Sequence, residues 1–350
     1  MQPDWTVSTA RWWHMPGITR LIRQSRRRRP DGVPVAREAL LWTPFWSPSV
    51  GLVQSVWGSQ VPGVPAASSH VVEARGRVVG LGQSRSRGDA RQWEVTFLAI
   101  EPGEAVGATA GFPDRRAMHL LGRLCDAATE RGAERIFALV RDDGAGHAIL
   151  RQLSFALVTR ELAFLLPASV APSDDALAAV ASLEGVRRQE RADAFGVYQL
   201  YRVTTPPVVQ LAEARRPQSW DLPRRAFGAL PRLARVAHGR RWVVTRDDQI
   251  VAWAHLAIAR RGPHQLSLMV APSAADLAVP LVTLALDAAR RARVAPVVAS
   301  IRDHQWPEHE ALTDSGFRPH ETNLIMMKQL ALAVPSARRH LLPAMERVVS

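Results

Sequence analysis

At 350 residues, 47% hydrophobic and 22% charged, the chain is too long for one average domain and apolar enough for a core in each of two halves, which excludes disorder over most of its length. A single cysteine, Cys125, excludes an intrachain disulfide framework and a multi-cysteine zinc site. Lys and Arg total 45 against 32 Asp and Glu, a formal +13, and every cation except Lys328 is an arginine, whose planar fork suits phosphate and carboxylate. That charge admits nucleic acid or a phosphate-bearing cofactor without choosing between them. No apolar run approaches the ~20 residues of a membrane span. The opening Met1-Gln2-Pro3-Asp4-Trp5 lacks the basic start and apolar run of a secretory leader. The expectation is a cytoplasmic protein with no membrane partner.

A helical pattern covers Pro16–Arg29, closed by the basic run Arg26–Arg29 and the stop signal Pro30-Asp31-Gly32. An aromatic loop with Trp42, Phe45 and Trp46 follows. Val71–Glu73 and Val78–Gly82 flank Arg75-Gly76-Arg77 and read as a hairpin. A strand over Glu94–Ile100 is closed by Pro102. Met118, Leu121, Leu124, Cys125 and Ala128 give a helical stripe. A strand Ile136–Val140, a short helix His147–Leu153 and a strand Leu162–Leu166 complete the first half.

The linker Pro167–Ser173 leads to a helix over Ala194–Tyr201, and then the order recurs. A hairpin spans Val243–His255 around Arg246-Asp247-Asp248-Gln249, and a strand Gln265–Val270 is closed by Pro272. The stripe Val279, Val282, Ala285, Leu286 and Ala289 precedes a strand Pro296–Ile301, a helix Glu308–Asp314 and a strand Leu324–Met327. Asp126–Asp142 aligns without a gap with Asp287–Asp303, with Asp126, Ala127, Ala128, Ala138, Arg141 and Asp142 recurring as Asp287, Ala288, Ala289, Ala299, Arg302 and Asp303. Leu153-Ser154-Phe155 answers Ser315-Gly316-Phe317. These blocks in one order imply duplication, with units over 1–167 and 174–332 and a tail over 333–350.

The order of hairpin, proline-closed strand, helix, strand, short helix with a Gly-Phe-like pair, and final strand resembles the GNAT N-acetyltransferases. Phe97–Pro102, Met118–Ala128 and Ala148–Phe155 carry it in the first half. Leu268–Pro272, Val279–Ala289 and Ala311–Phe317 carry it in the second. The resemblance implies an α/β fold of two tandem units, each on a mixed sheet. It also implies acyl transfer, acetyl above all, from acetyl-CoA to an amine of a small molecule or peptide, with no metal.

In such proteins a glycine-rich loop at a helix N-terminus holds the donor's pyrophosphate. Here that slot reads Arg115-Arg116-Ala117 in the first unit and Asp276-Leu277-Ala278 in the second. Two arginines attract a pyrophosphate and an aspartate repels it, so the first unit is the expected donor site. Backbone amides near Leu98 and Ile100 would polarise the thioester carbonyl. The tyrosine expected as general acid is replaced by Leu150 and Leu312. Tyr198 and Tyr201 are read as packing. Glu94, on the strand that would face the thioester, is the candidate base for the amine.

Three readings stand: an acyl-CoA-dependent N-acyltransferase; a non-catalytic GNAT-like protein that senses acyl-CoA or binds protein; and, weakest, a nucleic-acid-binding protein that uses the +13 charge. His304, Glu308, His309 and Glu310 around Pro307 are read as a helix start and not a metal site.

Overall fold

The structure is a computed structural model that describes residues 4–24, 27–28, 34–35, 39–42, 55, 66–87, 89–101, 114–142, 144–181, 183–222, 236–260 and 262–330. Pro102 and the segment up to residue 113, Phe45, Trp46 and the tail from 331 lie outside the described residues. Elements run as β1 (Trp5–Thr9), α1 (Met15–Gln24), β2 (Arg27–Arg28), β3 (Pro34–Val35), β4 (Ala39–Trp42), β5 (Ala67–Ala74), β6 (Arg77–Ser86), β7 (Gln92–Ile100), α2 (Arg115–Thr129), β8 (Arg135–Arg141), α3 (Ala145–Gln152) and β9 (Ala156–Leu166). After α4 (Asp174–Ala181) come β10 (Val186–Arg188), α5 (Ala194–Thr204), α6 (Pro207–Glu213), β11 (Val236–Arg246), β12 (Gln249–Ala259), β13 (His264–Val270), α7 (Ala278–Ala292), β14 (Val297–Arg302), α8 (Trp306–Asp314) and β15 (Arg318–Gln329).

The first helix stops at Gln24, short of the expected Arg29, and Arg27–Arg28 pair with Pro34–Val35 instead. Continuing the helix would set Arg23 one turn from Arg26 and Arg27, a like-charge stack. Both predicted hairpins form with two-residue turns whose central residues have positive φ: Arg75 and Gly76 in one, Asp247 and Asp248 in the other. That geometry matches the natural twist of paired strands. A register shift falls at Val72/Glu73 and at the equivalent Val244/Thr245. The helical stripes are buried as expected with two departures: Met118 is half-buried, and Val279 is exposed, with Ala278 and Leu281 beginning the buried face of α7.

Among the described residues, thirteen strands form one sheet in the order β1-β5-β6-β7-β8-β15-β9-β14-β13-β12-β11-β10, with β4 paired to β7 off that path. The order reads the same from both ends once each element is replaced by its repeat partner. β7 and β8 run parallel, as do β13 and β14, so Val140 and Ile301 occupy equivalent strands.

The units exchange their last strands. β9 follows the first unit in sequence but pairs with β14 of the second, and β15 pairs with β8 of the first. The two then pair with each other, antiparallel, at the centre. Glu161 sits opposite Asn323, its own counterpart: their spacing in sequence equals that of Phe155 and Phe317. The flanking pairs Arg160–Leu324 and Leu162–Thr322 are likewise each other's images. A pseudo-two-fold axis therefore passes between Glu161 and Asn323. The recurring aspartates anchor the exchange, the Asp142 amide donating to Thr322 O and the Asp303 amide to Arg160 O.

Packing follows the exchange. Phe164 and Leu166 of β9 are buried in the second unit's core, whereas Leu324 and Met326 of β15 are buried in the first. Each such side chain contributes about 1.5–3 kcal/mol when fully buried, so each core is completed by the other unit's strand. The run Pro272–Ala292 is long and apolar enough by composition to cross a membrane. Here it packs between α4 and β12 as a core helix.

Candidate functional site

The two units position their candidate donor sites in the same way. β7 pairs with β8 only over Gln92–Val95, and β13 with β14 only over His264–Leu266. Beyond those pairs the parallel strands splay. In the first unit the Glu101 amide bonds Val79 O on β6, so by alternation the Leu98 and Ile100 amides point to the opposite, splayed edge. A shift at Gln83/Ser84 leaves Thr96 as an extra residue in β7, a bulge that the second unit lacks.

Neither splayed edge is open along its length. In the first unit β4 pairs antiparallel with β7, setting Ala39, Leu41 and Trp42 opposite Ala99, Leu98 and Phe97. In the second unit two side chains of α8 and its approach do the same work. Gln305 Nε2 donates to Leu268 O at 2.9 Å, and the Val270 amide donates to Glu308 Oε1 at 2.9 Å. Gln305 Nε2 also donates to Glu308 Oε1, while its Oε1 accepts from the Arg302 amide. Glu308 is 1% exposed, and burial pushes its carboxyl above the ordinary range despite these bonds.

The helix start expected to hold pyrophosphate carries its own anion. Asp114 caps α2, accepting from the Arg116 amide at 2.8 Å and from the Arg116 guanidinium at 2.6 Å. Burial opposes the charge on Asp114, but the Arg116 hydrogen bonds outweigh it and hold the carboxyl below its usual value. Arg116 also donates to Glu101 O at 3.1 Å, which ties the helix start to the end of β7. Ala117 is buried and Arg115 exposed. In the second unit Asp276 forms a bidentate pair with Arg246, both exposed to solvent. As the described residues stand, neither unit offers both a free amide edge and an uncapped helix start to an acyl-CoA.

A charged cavity lies elsewhere, between the units. A cavity of about 320 Å³ is lined by β7, β8, β9 and β15 on one side, and by β13, β14 and the segment from α5 to Trp220 on the other. The Gln92 carboxamide of β7 holds that segment down, donating to Glu213 O at 2.7 Å.

Charge is concentrated in this cavity. Glu213, 2% exposed, accepts from Tyr201 Oη at 3.0 Å, Arg215 Nε at 2.9 Å and Arg302 Nη2 at 3.3 Å. Burial opposes its ionisation, but Arg215, Arg302 and Arg87 together drive its carboxyl far below the usual range. The Tyr201 hydroxyl is pushed up by burial and by Glu213. Glu161 lies 3.8 Å from Arg302 Nε, and burial raises its carboxyl in spite of that cation. Arg87 stacks 4.4 Å over the Phe137 ring, and burial lowers its guanidinium.

Of the six residues singled out from sequence, Glu94 alone lines the cavity. One oxygen of its carboxylate takes Arg85 at 2.6 Å and the other takes Arg87 at 3.5 Å. Leu98 and Ile100 lie on the splayed edge, and Arg115, Arg116 and Ala117 lie at the start of α2. Sequence reasoning missed Arg87, Glu161, Glu213, Arg215 and Trp220, and it assigned Tyr201 to packing alone. Arg302 was visible as a recurring residue of the repeat, but without a role. His304 contacts Asp303 and His309 packs edge-on against Phe164.

The fold recurs in known structures. The chain superposes on a GCN5-related N-acetyltransferase from Sphaerobacter thermophilus with a TM-score of 0.54 at 15% identity, covering 95% of this chain and 98% of that one. A tandem GNAT protein from the clavulanic acid biosynthesis pathway matches with a TM-score of 0.56 at 13% identity, covering 95% and 99%. A putative acetyltransferase from Pyrococcus horikoshii gives 0.51 at 12% identity, covering 95% and 92%. No sequence-family model matches the chain, and no curated protein does. The fold is the two-unit GNAT fold, the architecture of acyl-CoA N-acyltransferases.

Proposed function

We propose that this protein keeps the GNAT fold for ligand binding in the cavity between its units, and that it does not transfer an acyl group. The observation that carries this reading is that both splayed edges are hydrogen-bonded from within, one by β4 and one by Gln305 and Glu308. An amide already in a ladder or bonded to a buried carboxylate is not available to a thioester carbonyl. The capped start of α2 and the leucines in place of the expected acid tyrosine support the same reading.

Calorimetric titration of the full chain with acetyl-CoA tests it, together with a thiol-release assay over a panel of small amines and peptides. The expected result is no saturable binding and no release of CoA. Tight binding with turnover on any amine overturns it.

One observation favours acetyl transfer in the first unit instead. β4 closes that edge with a strand of only four residues, three of them paired with β7, and Glu94 lies at the cavity wall just before the splay. Leu41→Pro removes a backbone donor and breaks the short ladder. Under this second reading Leu41→Pro strengthens acetyl-CoA binding, Arg115→Glu weakens it, and Glu94→Gln slows transfer by about 10²-fold without changing donor affinity. If Leu41→Pro leaves acetyl-CoA binding undetectable, β4 is not a removable barrier and the first reading stands.

A further inference from the structure

The cavity between the units carries an imbalance of hydrogen-bonding groups. Trp220 and Arg302 both line it. Trp220 is 7% exposed, and its Nε1 has no partner among the described residues; neither has Arg302 Nη1, which is likewise buried. Both are donors. A buried donor left without an acceptor costs about 1–3 kcal/mol, more if charged. Glu213 takes other atoms of the Arg302 guanidinium, and Arg215 lies 5.3 Å over the Trp220 ring. The two orphaned donors thus belong to one neighbourhood of linked side chains.

Charge points the same way. Three arginines, Arg87, Arg215 and Arg302, face three carboxylates, Glu94, Glu161 and Glu213, across the lining. Glu94 also accepts from Arg85, behind the wall, at 2.6 Å. Within the lining the guanidiniums and carboxylates are equal in number, and the one buried nitrogen among them left without an acceptor among the described residues is a cationic donor, Arg302 Nη1. The wall also presents apolar and aromatic groups, Val209, Trp253, Met269, Phe137 and the ring of Tyr201, among polar ones such as Thr205, Ser267 and Ser300. An occupant that answers these features supplies acceptor oxygens, one negative charge and an apolar body.

We propose that the cavity binds a small organic monocarboxylate, its oxygens accepting from Arg302 Nη1 and Trp220 Nε1 and its apolar part resting on Trp253, Val209 and Met269. This proposal rests on the reading of the cavity as the functional site and adds the class of ligand. A carboxylate fits better than a phosphate dianion. Only one of the two unanswered donors is cationic, and Glu161 and Glu213 stand beside Arg302 to repel a second negative charge.

The test is a thermal-shift and calorimetric titration of the full chain with acetate, butyrate, benzoate and indole-3-acetate. Benzamide, as the neutral match for benzoate, and inorganic phosphate are run beside them. At least one monocarboxylate is expected to bind and raise the melting temperature, with benzamide weaker by about tenfold or more, the scale of one charge-assisted interaction. Trp220→Phe keeps an aromatic ring and deletes the donor, so it should weaken the carboxylate about fivefold to tenfold, while the smaller ring lowers the melting temperature of the free protein modestly without unfolding it.

Arg302→Lys should weaken it at least as much, and Trp220→Phe keeps the test valid if Arg302→Lys fails to fold. No monocarboxylate binding below ~10 mM, benzamide binding as tightly as benzoate, or phosphate displacing every carboxylate would each overturn the proposal, as would Trp220→Phe binding unchanged. The acetyl-CoA titration separates the two claims. Carboxylate binding together with acyl transfer removes the non-catalytic reading and leaves this site standing. Neither carboxylate binding nor acyl transfer removes this site alone.

Discussion

The first unit closes its splayed strand edge with backbone, and the second closes its own with side chains. In the first, β4 lies along Phe97–Ala99. In the second, Glu308 and Gln305 reach across from α8 to Val270 and Leu268 and are part of a packed core. A strand pairing is made of repeated equivalent bonds and can be exchanged for another partner of the same kind. A buried carboxylate on a single amide cannot be withdrawn without leaving that amide orphaned. The same fold therefore carries one closure that is exchangeable in principle and one that is built in.

The sharpest break of that contrast is Glu308→Ala. It strips the Val270 amide of its acceptor and leaves space at a 1% exposed position, so it should cost about 2–4 kcal/mol in urea denaturation. A cost under about 1 kcal/mol would mean that the second closure is no more integral than the first. Glu308→Gln keeps the acceptor and removes a buried charge, and should be neutral or stabilising near pH 7.

Acid compares the units next, since each holds a histidine whose charged form burial disfavours. His70 of β5 and His255 of β12 are each lowered to about 4, first by burial and then by neighbouring arginines. Their folded pKa lies below the unfolded value, so the stability they contribute is present above about pH 6.5 and is lost as pH falls toward 4. Each accounts for about 2–3 kcal/mol over that window. His70→Gln and His255→Gln should each flatten the fall in melting temperature between pH 7 and 4.5. An unchanged pH profile in both would show that acid acts elsewhere.

The smallest effect distinguishes the two copies of one turn. Ser154 has φ of 64° and its counterpart Gly316 has φ of 83°. Ser154→Gly should stabilise by about 0.5–1 kcal/mol and Gly316→Ser should cost about 1 kcal/mol, because only glycine adopts this conformation freely. A Cβ at Gly316 meets nothing closer than 3.6 Å, so strain rather than crowding sets the sign. Equal and opposite shifts would confirm that the two turns bear the same backbone demand.

Local elements were legible because their signals are local. Arg75-Gly76 and Asp247-Asp248 mark turns whatever surrounds them, and the stripe on α2 needs only the helical period. The strand exchange was not legible. β9 and β15 are repeat partners with the same alternation, so nothing in their pattern tells β8 which of them to accept. The cavity was hidden for a related reason. Arg302 and Glu213 meet across 89 positions, and Glu161, Arg87 and Trp220 come from further elements with no shared spacing. Glu94 was found because its strand could be placed, but its partners, Arg85 on β6 and Arg87 just after it, give no motif. The closing strand β4 has only four residues, too few for any period to declare itself.

The exchanged strands also set the order in which the chain can finish folding. As the polypeptide leaves the ribosome, β8 emerges early but must wait for β15, residues 318–329, before both of its edges are paired. β9 in turn waits for β14. Neither half completes itself during synthesis, and the earliest-made unit is the last to be sealed. A nick in the connection between Leu166 and Asp174 would therefore not release two domains. It would leave two fragments clasped by each other's strands, each holding the piece the other lacks, and they should copurify until denatured and recover only when mixed.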